Sequence, residues 1–153
     1  MIKKFSIAVF LVIFILGVIG CSSKSDISFK DISEKIEKTV DISNMRVEDK
    51  EKLKKLYDID ADKLEDFKFY RAESNIKADE ILILKVEDKN AIEDINSKIK
   101  KRIEKQEGSF KDYLPKEYDL TKNNVLKTKG NFILFAVLKD ADKVQASFDE
   151  SLK

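Results

Sequence analysis

Two short runs in this chain have no polar face. Ile81-Leu82-Ile83-Leu84 and Phe132-Ile133-Leu134-Phe135-Ala136-Val137-Leu138 are apolar at every position. Successive side chains of a strand point to opposite sides of its sheet, so such runs need cover on both faces. They predict two central strands, over 79–86 and 132–139, in a sheet with helices packed against it.

Each central strand finds a partner across a nearby turn. Residues 67–73 alternate polar and apolar and are rich in aromatics, and Ser74-Asn75-Ile76-Lys77 would turn them into the first central strand. Residues 125–128 would pair with the second central strand across Lys129-Gly130-Asn131. Apolar stripes at helical spacing fill the remaining stretches. Phe29, Ile32, Ile36 and Val40 mark a helix over 27–40, and Leu53 and Leu56 a short one over 48–56. Ile92, Ile95, Ile99 and Ile103 mark the clearest helix, over 89–107, with Asp88 as N-cap and Gly108 as stop. Ala141, Val144, Phe148 and Leu152 mark a last helix. The expectation is an α+β fold: an antiparallel four-stranded sheet from two hairpins, packed with about four helices in the order ααββαββα. Residues 27–153 would form a single domain, which suits a chain of 153 residues. Charged residues make up 39%, well above the ~25% of an average chain, as long solvated helix faces would produce.

The N-terminus carries a different signal. Lys3 and Lys4 precede an apolar run from Phe5 to Ile19, broken only by Ser6 and Gly17, and the chain turns polar at Ser22. That run is shorter than the ~20 residues a membrane-spanning helix needs, and fits a secretory leader. Val18-Ile19-Gly20-Cys21 resembles the lipobox of bacterial lipoproteins. The resemblance implies cleavage after Gly20 and a diacylglyceryl group on the thiol of Cys21, the only cysteine. Residues 1–20 would be the signal peptide, and 21–26 the lipidated N-terminus and tether. A five-residue tether over 22–26 reaches about 17 Å when extended, which keeps the domain near the outer face of the cell membrane.

Of the 30 basic side chains, cleavage removes Lys3 and Lys4, leaving 28 against 29 acidic ones. No field of one sign remains to recruit nucleic acid, so the lipid itself would hold the membrane.

Further likeness runs through Leu56-Tyr57-Asp58-Ile59, Ala78-Asp79-Glu80-Ile81 leading into Lys85, Gln106, Tyr113-Leu114-Pro115, Tyr118 and Gly130-Asn131-Phe132. In that order these motifs resemble the domain-of-unknown-function family 4358, small lipoproteins found mainly in Gram-positive anaerobes. That family commonly has Gly where Asp58 stands. The resemblance implies a lipoprotein with no assigned activity, and supplies no catalytic residues.

Several clusters invite a chemical reading. Asp58, Asp60 and Asp62 are spaced like the first half of a calcium loop, but Lys63 and Phe69 occupy the positions that require Gly and Glu, leaving an acidic capping loop. Lys98, Lys100, Lys101, Arg102 and Lys105 are offset by Asp94, Glu104 and Glu107, and read as a solvated helix face. Asp79 and Glu80 would serve an acid–base pair only if loop geometry overcame their opposite facing; otherwise one of them caps the turn or pairs with Lys85 or Arg71. Phe110, Tyr113, Pro115 and Tyr118 fall in what reads as the longest irregular loop, a candidate interaction surface. With no His, no Gly-rich phosphate loop and no metal-ligand cluster, no cofactor or metal is expected. The expectation is a lipid-anchored, non-enzymatic module that binds an envelope protein or a small ligand. The alternative is a carboxylate-dependent cell-envelope hydrolase acting through Asp79 and Glu80.

Overall fold

The computed structural model describes residues 28–153. The leader, Cys21 and the tether lie outside the described residues.

The fold is α+β, with the sheet between two helical layers. Helix α1 (Phe29–Thr39) is followed by strand β1 (Met45–Val47) and helix α2 (Lys50–Tyr57). The long antiparallel pair β2 (Leu64–Ala72) and β3 (Glu80–Val86) comes next. Helices α3 (Ile92–Phe110) and α4 (Pro115–Lys122), hairpin β4 (Val125–Lys129) and β5 (Phe132–Val137), and helix α5 (Ala141–Ser151) complete the order. The sheet is antiparallel throughout, with strands in the order β1-β2-β3-β5-β4.

The two doubly apolar runs became β3 and β5, paired with each other inside the sheet. One face of β3, through Leu82, Leu84 and Val86, packs on Leu53 and Tyr57 of α2 and on Ile95, Ile99, Ile103 and Phe110 of α3. The other, through Ile81 and Ile83, packs on Phe29, Ile32 and Ile36 of α1 and on Val144 and Phe148 of α5. Two separate cores therefore share one sheet.

Four expectations need correction. The sheet has five strands rather than four, because Met45–Val47 adds an edge strand beside β2. Three residues are too few for alternation to show in a sequence. There are five α-helices among the described residues rather than about four, because Pro115 opens a helix within the expected loop. Its ring presets the backbone at the first helical position, where no N–H is needed. Gly108 does not stop α3, which continues to Phe110 and buries it. The Tyr113–Tyr118 stretch is consequently a tight corner between two helices, not a long irregular loop.

Local chemistry explains the ends. The Asp49 carboxylate accepts from Lys52 N at the start of α2, and Asp88 accepts from Asn90 N at the head of a 3-10 turn that runs into α3. Asp58 ends α2 with φ 56°, the left-handed conformation that glycine adopts freely and aspartate tolerates. Gly130, with φ 63°, makes the two-residue turn between β4 and β5.

Candidate functional site

Glu80 is the first residue of β3 and lies on the same face as Leu82 and Leu84, yet it is wholly buried. A lone carboxylate there would be very costly, so its partners decide whether the fold tolerates it. Four donors converge on its two oxygens. The Tyr57 hydroxyl and Arg102 Nε (3.2 Å) donate to Oε1. Arg102 Nη2 (2.7 Å) and Gln106 Nε2 (3.1 Å) donate to Oε2. Helix α3 makes this possible because Arg102 and Gln106 are one turn apart on it, while Tyr57 ends α2.

The electrostatics follow from the packing. Burial, and then the negative charge of Glu80, hold the Tyr57 hydroxyl well above the ordinary tyrosine range, so it remains a donor. Burial works against the charge on Arg102, but its hydrogen bonds to Glu80 and the attraction of that carboxylate outweigh it. The guanidinium also lies 5.9 Å from the centre of the Tyr57 ring.

Above the cluster is a cleft of about 360 Å³, lined by Leu56, Ile76, Glu80, Arg102, Gln106 and Leu114 among others. One wall is the 73–79 turn, fixed at two points. The Glu117 side chain of α4 accepts from Lys77 Nζ (2.8 Å) and from Ala78 N (2.9 Å). Arg71 donates through Nε to Glu48 (2.9 Å) and through Nη1 to Asn75 (3.4 Å). Burial acts to raise the Glu48 carboxyl, but Arg71 and Arg46 together hold it below the ordinary range.

One polar atom in the cluster is unmet. Gln106 Oε1 is buried and has no donor among the described residues. A buried acceptor without a partner costs about 1–3 kcal/mol, and native folds carry few of them.

The structure redistributes the residues singled out in the sequence. Asp79 and Glu80 do not share a cleft. Asp79 lines a second hollow with Asp41, Asn44 and Glu73, and burial followed by the charge of Glu117 raises its carboxyl above the ordinary range. Arg71 stands opposite Glu80 in the sheet register but pairs with Glu48, and Lys85 pairs with Glu65. Glu80 pairs instead with Arg102, which the sequence reading had placed on a solvated face and which is in fact 12% exposed in its side chain. Lys100, Lys101 and Lys105 do stay exposed, while Lys98 is half-buried and pairs with Asp94. Phe110 is buried and lines the cleft, Tyr118 packs half-buried against the same core, and Pro115 starts α4. Tyr113 projects outward, 84% exposed. Asp58 binds Lys54, and Asp60 caps the 3-10 turn at Asp62. No group of three or more metal-ligating side chains occurs among the described residues.

Tyr57, Arg102 and Gln106 were missed as a set. Gln106 carried a signal, since it falls three residues after Ile103 and four before Phe110, on the buried stripe of α3.

The fold and this site define a class: a sheet covered by helices on both sides, with a buried four-residue polar cluster beneath a small cleft. The chain belongs to the family described as Domain of unknown function (DUF4358), whose model matches residues 38–138. That span holds every residue of the cluster and of the cleft. No curated protein and no solved structure matches the chain. Among the described residues, no helix is long and apolar enough to cross a membrane.

Proposed function

We propose that the mature chain is a lipid-anchored, extracytoplasmic binding module that acts without catalysis, and that its ligand or partner seats in the cleft over Arg102 and Gln106. The observation that carries the binding half is the state of Glu80. With four donors on two oxygens and no exposure, it positions Arg102 and Gln106 rather than exchanging protons with a substrate. A preorganised polar floor under a partly apolar wall is the usual make-up of a binding site.

The anchoring half rests on Val18-Ile19-Gly20-Cys21 after a leader-like segment. Two acyl chains hold a membrane stably where one does so only marginally. The Cys21→Ala chain should lose lipid labelling and keep its leader; normal labelling and processing would refute this half. For the binding half, a photo-crosslinker placed in cells at Asn75, on the cleft wall, should give a reproducible adduct. The same group at Glu93, away from the cleft, should not. Equal or absent adducts at both positions would count against the cleft.

A further inference from the structure

The unmet oxygen of Gln106 says what the cleft lacks. The amide cannot simply be turned over, because Nε2 donates to Glu80 Oε2, and the flipped form would set two acceptors against each other. Oε1 is therefore held as an acceptor, and it is closed to solvent. The cations around it are already matched: Arg102 to Glu80, Arg71 to Glu48 and Lys77 to Glu117. Each of these cations has a carboxylate partner, Glu48 being shared between Arg71 and Arg46, so none is left unpaired in the cleft to recruit an ion. Leu56, Ile76, Phe110 and Leu114 give it an aliphatic and aromatic side.

We propose that this cleft takes a small uncharged ligand that carries an amide N–H on an aliphatic body. The N–H donates to Gln106 Oε1, and the body packs on Leu56, Ile76 and Leu114. This inference rests on the binding-module reading and gives its ligand a chemical class. An ammonium group would face the guanidinium of Arg102, and a carboxylate would bring no donor to Oε1. A cleft of about 360 Å³ lies near the small end of ligand pockets, which suits a fragment-sized molecule. Because Oε1 is closed as the side chains stand, the donor reaches it after a side-chain adjustment in the wall, a change that commonly accompanies binding.

The test is an amide-NMR titration of the full chain in detergent with isovaleramide, beside N,N-dimethylisovaleramide, which has no N–H, and isovalerate. Isovaleramide should give saturable shifts at Ser109, Phe110 and Leu114, with about tenfold weaker binding of the dimethyl amide, the equivalent of one hydrogen bond. Gln106→Met should bind both amides alike, and its melting temperature carries two opposed changes, the unmet acceptor removed and the donor to Glu80 lost. Equal affinity for the two amides on the unmodified chain overturns the proposal without any variant. Preferential binding of isovalerate in the cleft overturns the ligand class but leaves the binding module standing. No saturable shift with any probe overturns the ligand class; absence of the Asn75 adduct as well would remove the module reading with it.

Discussion

Glu80 and Arg102 meet in a two-point contact between the sheet and α3, with Nη2 2.7 Å from Oε2 and Nε 3.2 Å from Oε1. Both side chains are almost out of solvent, at 1% and 12% exposure. Removing one partner therefore strands the other. Arg102→Met should cost about 3–5 kcal/mol in urea denaturation, the usual penalty for an uncompensated buried charge. Combining it with Glu80→Gln should recover much of that loss. A single variant losing under ~1 kcal/mol would mean that the carboxylate has another outlet.

Tyr57 offers a gentler probe of the same carboxylate. Its ring meets Phe69 and Phe135 edge-on, with centroids 5.5 and 6.3 Å apart, and Tyr57→Phe keeps those contacts. The variant should lose about 1.5–3 kcal/mol, the range for a hydrogen bond to a charged group. Denaturation with an unchanged m-value would attribute the loss to the native state.

Asp79 gives a pH dependence of definite sign. Burial, and then the charge of Glu117, raise its folded pKa above the usual 3.8, so the folded state binds the proton more tightly than the unfolded one. The stability it contributes is full below 3.8 and is lost as the pH rises through the folded value. Asp79→Asn should therefore raise the melting temperature at pH 7, with the gain shrinking towards pH ~4. A gain that grew as the solution became more acidic would reverse the assignment.

The glycines at 108 and 130 should respond in opposite directions. Gly108 sits inside α3, and an added Cβ would meet nothing within 4 Å. Gly108→Ala should stabilise by about 0.5–1 kcal/mol through helix propensity. Gly130 has φ +63°, and Gly130→Ala should destabilise by about 1–2 kcal/mol despite equally open space. Thermal melts of the two variants would show whether conformation or crowding governs these positions.

The parts of this fold that were legible in the sequence are those with long, periodic patterns. The apolar runs of β3 and β5, the isoleucine stripe of α3 and the Gly130 turn all repeat or mark themselves locally. β1 was invisible because three residues carry no period, and α4 because its opening Pro115 reads equally well as a loop breaker. The site was harder. Arg102 stands among lysines, and only a partner 22 residues away separates it from them. Asp79 and Glu80 were rightly expected to face apart. Which of the two would be buried depended on where α2 and α3 lie, and no local pattern records that.

Between Ile81 and Leu84, β3 looks the same from either side. Within that stretch a slip of one residue would only exchange two isoleucines for two leucines, and the one apolar cue against it is Lys85, which would turn onto the face that Leu84 and Val86 fill. Hydrophobicity therefore aligns this strand only from its far end. Glu80 breaks the ambiguity, because only one alignment delivers its carboxylate to Tyr57, Arg102 and Gln106. By this account the cluster encodes position rather than strength, a use known for single buried polar groups elsewhere. Replacing Glu80, Arg102 and Gln106 together with apolar side chains should then keep the chain stable but double the amide resonances of residues 80–86, as one sequence samples two alignments.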